Sequence, residues 1–171
     1  MRGREFRNSK LLEVSPLVEV ICYCLLPNHF HLLLRQLKEN GISKFMQKVG
    51  TGYSYYFNTK YNRRGALFHG SFKPVLIKDN PQFLHISRYI HLNVLDLSDP
   101  SWREGKIYNW DLAKKNMEDY SWSSYPIFMG QKRSDFCHPE RLLEIFKSHA
   151  DYENFMREWS ERELAITDDL E

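Results

Sequence analysis

The chain of 171 residues is long enough to bury the core of one domain, and its 42% hydrophobic and 15% aromatic residues exclude a disordered chain. Its longest apolar run, residues 20–26, is far shorter than the roughly 20 residues of a membrane helix, and no signal segment follows the basic N-terminus. Three cysteines, an odd number, exclude a disulfide framework. These features predict a soluble cytoplasmic protein without a membrane partner.

The net charge of +2 hides an uneven distribution. Residues 1–100 carry 14 Lys and Arg against 7 Asp and Glu, whereas residues 101–171 carry 10 against 15. A basic part followed by an acidic part is compatible with a polyanionic partner for the first part.

A β-hairpin with two histidines is predicted near the start of the chain. Residues 17–25 are apolar and β-branched and lie between Pro16 and Pro27, which predicts a strand, and residues 29–35 predict its antiparallel partner. Alternation along the second strand places His29 and His31 on one face. Two neutral imidazoles side by side suit a divalent metal, because each offers a ring nitrogen without adding charge.

A helix is predicted from Gly41, because apolar residues then recur at helical spacing. These residues are Ile42, Phe45, Met46, Val49, Tyr53, Tyr56 and Phe57. Gly50 and Gly52 weaken this helix and predict a bend or a close contact. A basic loop over residues 60–65 and a third strand over residues 71–78 follow.

A second helix is predicted from Asp79, which supplies a capping side chain, with Pro81 in the first turn. Its apolar stripe consists of Phe83, Ile86, Ile90 and Val94. Two further helical patterns occur around residues 141–148 and 152–165. Strands interleaved with helices predict an α+β fold in which helices cover an antiparallel sheet.

Tyr89 and Asn93 lie four residues apart and therefore on one face of the second helix. Tyrosine offers a phenolic nucleophile, and asparagine offers a neutral oxygen to a hard metal. With His29 and His31 they form a plausible site in which a metal polarises a phosphate. Attack by the tyrosine would give a covalent phosphotyrosine, which suits strand transfer.

Several spaced motifs resemble the single-tyrosine HUH transposases, and most closely the IS200-like enzymes associated with repetitive extragenic palindromes (REP). The motifs are residues 23–34 with the histidine–hydrophobic–histidine pattern, then residues 42–48, 65–73, 88–93 and 122–125. The resemblance spans roughly residues 17–130 and implies a ferredoxin-like α+β domain over residues 1–130, with a helical extension over residues 131–171. It also implies Tyr89 as nucleophile, His29, His31 and Asn93 as ligands of Mg²⁺ or Mn²⁺, and single-stranded hairpin DNA as substrate.

Two departures from the family pattern stand out. Family members usually have another strand and helix before the segment where this chain begins, so the chain is expected to be N-terminally truncated and to leave a sheet edge exposed. The family also commonly has proline where this chain has Val94.

Basic residues interleaved with aromatic ones are the expected DNA contacts, since cations neutralise phosphates and aromatic rings stack on unpaired bases. The cations are Lys44, Lys48, Arg63, Arg64 and Lys73, and the aromatic residues are Tyr53, Tyr56 and Tyr61. A homodimer is an open alternative to a monomer, because relatives can exchange the tyrosine helix between subunits.

Two other functions stay open. The chain could be a catalytically silent relative that only binds structured single-stranded DNA. Alternatively, Cys22 and Cys24 could join the histidines in a structural zinc site. A symmetric loop over residues 26–28 would pair Cys24 with Phe30 and turn the sulfurs away from the histidines, which favours buried core cysteines. A shift of one residue would reverse that conclusion.

Overall fold

Two antiparallel strands form the sheet of the computed structural model, which describes residues 15–161. Strand β1 is Val18–Leu25 and strand β2 is Phe30–Gln36. The predicted hairpin is therefore confirmed, with β2 beginning one residue later than expected. The backbone N–H of Leu26 donates to the carbonyl oxygen of His29 at 2.8 Å and closes the turn.

The register of the hairpin differs by one residue from the symmetric-loop prediction. Cys24 pairs with His31, and Leu25 pairs with Phe30. The prediction was wrong because the closed turn includes His29, so the loop holds four residues rather than three. Paired residues of an antiparallel ladder point to the same face, and Cys24 therefore shares the face of His31.

Helix α1, Gly41–Lys60, confirms the first predicted helix. Asn40 precedes it in the left-handed conformation, and Gly41 allows close packing because a Cβ there would clash with the carbonyl oxygen of Leu17. The helix runs through Gly50 and Gly52, and the close contact predicted there was wrong, because a Cβ at either position would meet no other part of the fold.

The third strand predicted over residues 71–78 was also wrong. This segment has no regular secondary structure and pairs with no strand. Pro74 at its centre has no N–H for a sheet ladder, and Leu76 is 78% exposed. The α+β class is confirmed, with two strands in residues 15–161. The truncation expected at the N-terminus stays a prediction, and residues 1–14 lie outside the described residues.

Helix α2, Asn80–Leu92, confirms the second predicted helix. The carboxylate of Asp79 accepts the backbone N–H of Gln82 at 2.8 Å, and the Gln82 side chain accepts the N–H of Lys78 at 2.7 Å. The Asp79 cap satisfies a donor that the first helical turn leaves open, and the Gln82 side chain also binds the backbone just before the helix. A 3₁₀ helix, Asn93–Leu97, follows it without a break in the chain of helical residues.

The remaining chain forms short helices. They are a 3₁₀ helix at Pro100–Glu104, α3 at Trp110–Asp119, α4 at Tyr125–Phe128, α5 at Glu140–Leu143, α6 at His149–Arg157 and a 3₁₀ helix at Glu158–Glu161. The helix predicted over residues 141–148 is shorter than expected, because Ser148 caps a new helix by accepting the N–H of Asp151. The helix predicted over residues 152–165 is found as the end of α6 and the 3₁₀ helix that follows it, and residues 162–165 lie outside the described residues. No helix in residues 15–161 combines the length and apolar character that crossing a membrane requires.

Residues from the C-terminal half cover the edge of β1. Leu25 donates its N–H to the carbonyl of Trp122 at 2.8 Å, and His138 donates its N–H to the carbonyl of Val20 at 2.8 Å. Tyr23 accepts the N–H of Ser124 at 3.0 Å. The edge of β1 is therefore hydrogen-bonded along much of its length.

Helix α2 lies at the centre of the core, between the hairpin and the C-terminal helices. The residues from His85 to Leu92 are all buried. Arg88 donates to the carbonyl of Phe155 at 2.9 Å and its guanidinium lies over that ring. Helix α2 is thus held on one side by the sheet and on the other by α6, which fixes the side chains that it carries.

Candidate active site

His29 and His31 lie side by side at the tip of the hairpin. Their rings meet edge to face with centroids 5.1 Å apart. His29 is exposed in the turn, and its Nδ1 lies 2.7 Å from the Oδ1 of Asn28. His31 is half-buried on β2, and its Nε2 is buried without a hydrogen-bond partner. The prediction that the two histidines share one face is confirmed.

Helix α2 brings Tyr89 against this pair. The Tyr89 ring meets the His31 ring edge to face at 5.6 Å and also packs on the Trp102 ring at 5.6 Å. Tyr89 is buried, with 3% of its surface exposed. A residue of the helix and a residue of the hairpin, 58 positions apart, are thus in direct contact.

Asn93 lies one turn further along the same face. Its Nδ2 donates to the carbonyl of Tyr89 at 2.7 Å, and its Oδ1 accepts from the Nη2 of Arg103 at 3.1 Å. The side chain is fully buried. The structure therefore gathers Tyr89, His31 and Asn93 in one place, with His29 beside them.

Arg103 is a residue of this site that sequence reasoning missed. Its Nη1 donates to the Tyr89 hydroxyl at 3.3 Å, and its Nε and Nη2 donate to the two carboxylate oxygens of Asp96 at 3.0 and 2.7 Å. It lies on the 3₁₀ helix Pro100–Glu104, beyond an irregular turn. No spacing rule connects such a residue to helix α2, so nothing in the sequence pointed to it.

The charges around the site have clear physical causes. Burial lowers the pKa of His31 to about 4, and the positive charge of Arg103 and the nearby His29 act in the same direction. His31 is therefore neutral at neutral pH, which leaves a ring nitrogen able to bind a metal. The hydrogen bond that Arg103 donates to Asp96 raises the pKa of the Arg103 guanidinium, and Arg103 therefore stays a cation.

The residues present fit a divalent cation. The buried Nε2 of His31 lacks a partner, and an unsatisfied buried nitrogen is the kind of atom that a metal would satisfy. The Oδ1 of Asn93 has a second lone pair besides the one that accepts from Arg103. Two imidazoles and an amide oxygen form a neutral donor set suited to a metal that also contacts an anionic substrate.

The zinc alternative finds no support in the structure. Although Cys24 shares the face of His31, residues 15–161 contain no group of three or more His, Cys, Asp or Glu arranged to hold a metal. Cys22, Cys24 and Cys137 are buried free thiols. Burial, together with Asp96, raises the pKa of Cys24 to about 12, so its thiol is protonated at neutral pH.

The five cations expected to contact DNA are all exposed. Lys44 and Lys48 lie on α1, and Arg63, Arg64 and Lys73 lie in the segment between α1 and α2. The guanidinium of Arg63 lies 5.7 Å from the centre of the Phe57 ring.

Exposed and partly buried aromatic rings connect α1 to the histidine hairpin, and we call them the aromatic strip. Its members are Phe30, Tyr53, Tyr56, Phe57, Tyr61 and Phe68. Phe68 bridges the two parts, with its ring 6.0 Å from that of Phe30 and 6.2 Å from that of Tyr53. Tyr53, Tyr56 and Tyr61 are each at least half exposed. Unlike a core helix face, this surface is open to solvent beside His29 and His31.

Comparison with known proteins gives one family. Residues 13–93, just under half of the chain, match the IS200-like transposases. This segment contains the hairpin, α1 and α2, and ends at Asn93. No curated protein and no solved structure matches the chain. The matched segment carries His29, His31, Tyr89 and Asn93, whereas Arg103 lies beyond it. Residues 13–93 are thus assigned to the IS200-like transposase family.

Proposed function

We propose that this transposase cleaves and rejoins single-stranded DNA through a covalent bond between the strand and Tyr89. The observation that supports the proposal most directly is the contact of Tyr89 with His31, with Asn93 one turn away. A nucleophile beside a candidate metal site is the arrangement that phosphoryl transfer needs. The preferred substrate that we propose is a REP-like hairpin, because the motifs of this chain resemble those of the REP-associated enzymes.

The metal proposed for this reaction is Mg²⁺ or Mn²⁺, held by His29, His31 and Asn93. When bound, it would withdraw charge from the phosphate and from the leaving oxygen. The unpartnered Nε2 of His31 supports this assignment.

The proposed step exchanges one ester bond for another. The Tyr89 oxygen forms a bond to phosphorus while the bond between phosphorus and the leaving oxygen breaks. The phenolic proton goes to solvent, and the leaving oxygen takes up a proton. Because the phosphotyrosine conserves the ester, attack by a second strand end can reverse the step and join DNA.

The aromatic strip and the cations beside it are the proposed DNA surface. Exposed tyrosines offer stacking platforms for unpaired bases, and Lys44, Lys48, Arg63, Arg64 and Lys73 would neutralise phosphates. The ring contacts from Tyr53 through Phe68 to Phe30 lead toward the histidines. A strand lying on this surface would pass the candidate site.

The function is tested by incubating the protein with Mn²⁺ and labelled hairpin oligonucleotides, followed by a denaturing gel. We expect a slowly migrating adduct that is lost in Tyr89→Phe. Tyr108→Phe is the matched control, since Tyr108 is 78% exposed and makes no contact with the site that the structure records. A retarded complex on a native gel without an adduct, over varied hairpins, would instead support the silent DNA-binding relative.

The proposed homodimer can be tested with the same gel. Mixing Tyr89→Phe with His31→Ala restores adduct formation only if two chains exchange the tyrosine helix. In the structure Tyr89 and His31 of one chain are in contact, so we expect no complementation even if a dimer forms. Association with the nucleoid is part of the proposal, since the substrate would be found there.

A further inference from the structure

We propose that Arg103 is a positioning residue that holds the reacting hydroxyl of Tyr89 and the amide of Asn93 in a fixed relation. This inference rests on the proposed function and adds to it a residue outside the segment that matches the family. It comes from the hydrogen bonds of the guanidinium, which reach both side chains.

The guanidinium is itself held firmly. Asp96 accepts from its Nε and Nη2, which is the two-point geometry that fixes the plane of an arginine. The indole of Trp102 donates to the same carboxylate at 2.7 Å, and its ring lies under the guanidinium at 4.9 Å. The Arg103 guanidinium is therefore oriented both by the carboxylate of Asp96 and by the ring face of Trp102.

The contacts go beyond those of a structural ion pair. An ion pair with Asp96 would need only the edge that carries Nε and Nη2. The Nη1 edge turns instead to the Tyr89 hydroxyl at 3.3 Å, and a further N–H of Nη2 reaches the Asn93 oxygen at 3.1 Å. Both acceptors belong to the face of α2 that meets the histidines.

Such an arrangement has a direct consequence for the reaction. A hydrogen bond to the Tyr89 oxygen restricts rotation about the C–O bond and fixes the direction of the remaining lone pair. Correct orientation of a nucleophile contributes greatly to rate, and small displacements can cost about 100-fold. Lysine keeps the charge of arginine but lacks the planar fork that reaches several acceptors at once.

The test compares Arg103→Lys and Arg103→Met with a matched control, Lys106→Met. Lys106 is exposed, lies three positions away and forms an ion pair with Glu104 at 3.2 Å. The first measurement is the single-turnover rate of adduct formation at saturating hairpin DNA with Mn²⁺, beside the hairpin affinity. We expect both Arg103 variants to slow the reaction about 10- to 100-fold with affinity changed less than about threefold, and the control to match the wild type.

A second measurement does not depend on activity. Tyrosine labelled with ¹³C at Cζ gives a resonance for Tyr89, identified by its loss in Tyr89→Phe, that reports hydrogen bonding at the hydroxyl. We expect this resonance to move in Arg103→Met and to stay in place in Lys106→Met. An unmoved resonance in Arg103→Met overturns the contact, and a moved resonance with unchanged rates overturns the positioning role. Absence of any adduct in the wild type would overturn the proposed function, while the resonance would still decide the contact.

Discussion

The ring of His31 meets the ring of Tyr89 edge to face, with centroids 5.6 Å apart. One residue comes from a β-hairpin and the other from a helix that begins 44 residues after that hairpin ends. The contact brings a candidate metal ligand to a candidate nucleophile within one chain.

Removing a histidine should weaken metal binding. We expect His29→Ala and His31→Ala each to reduce the affinity for Mn²⁺ by more than about tenfold, because each removes one of three donors. Electron paramagnetic resonance of free Mn²⁺ measures the affinity. His138→Ala is the control, since His138 is exposed on the segment that covers β1. Equal affinities in the wild type and the two hairpin variants would contradict the ligand assignment.

The aromatic strip should contribute to DNA affinity. Tyr53 is 50% exposed and touches the rings of Tyr56, Phe57 and Phe68. We expect Tyr53→Ala to weaken binding of single-stranded DNA by about 1–3 kcal/mol, the typical contribution of one stacked base. Fluorescence anisotropy measures this, with Tyr108→Ala as the control. An unchanged Kd would place the DNA on another surface.

The lysines of α1 should contribute to DNA affinity only by neutralising the charge of phosphates. If Lys44 and Lys48 each neutralise one phosphate, Lys44→Gln and Lys48→Gln should each reduce the slope of log K against log salt by about 0.7 for a single strand. Titrations at several salt concentrations give the slope. Lys114→Gln is a suitable comparison, because Lys114 pairs with Glu153 on α6 at 2.8 Å. Slopes that match the wild type would exclude these two lysines from the interface.

His91 should make stability depend on pH. It is fully buried, and its ring nitrogens lie 2.8 Å from the hydroxyls of Tyr152 and Ser124. Burial lowers its pKa from 6.5 to about 3. Between these values the unfolded chain binds a proton that the folded chain does not, so the stabilising effect is complete above about pH 6.5 and decreases as the pH falls.

Urea unfolding, followed by tryptophan fluorescence, measures this dependence from pH 7 to pH 4. The slope assigned to His91 is at most about 1.4 kcal/mol per pH unit. We expect His91→Gln, which can still bond to both hydroxyls, to show a smaller slope than the wild type. A slope that is the same in both proteins would show that His91 is already protonated in the fold.

The cap of α2 should stabilise the helix that carries the site. Asp79→Ala removes the acceptor for the Gln82 N–H and should lower the free energy of unfolding by about 1 kcal/mol. Asp79→Asn, which retains an acceptor oxygen, should recover most of this loss. If the alanine variant is as stable as the wild type, another group accepts the hydrogen bond from the Gln82 N–H in the first turn.

Local sequence patterns predicted the hairpin and the two long helices, because the signals for these elements lie within a few residues of one another. The capping residues Asp79 and Pro81 and the apolar spacing after Gly41 are short-range signals, and both helices appear where they indicate. Residues 71–78 have strand composition but no partner strand, and partners depend on tertiary structure. The turn at His29 shifted the register by one residue, which composition cannot reveal.

Only those residues of the candidate site that belong to sequence motifs could be predicted. His29, His31, Tyr89 and Asn93 lie in recognisable patterns, and the structure brings them together. Arg103 reaches the site through irregular 3₁₀ segments whose course follows from the packing of Trp102. Its position could not be derived from spacing.

The most direct test of the account is to identify the amino acid that carries DNA in the adduct. Trypsin cleaves after Arg88 and Arg103 and releases residues 89–103, in which Tyr89 is the one tyrosine. After nuclease trimming, mass spectrometry should find the nucleotide on this peptide, or on residues 79–103 if cleavage beside the modified tyrosine is blocked. A nucleotide on any other tyrosine, or an adduct that persists in Tyr89→Phe, would contradict the assignment of Tyr89 as nucleophile.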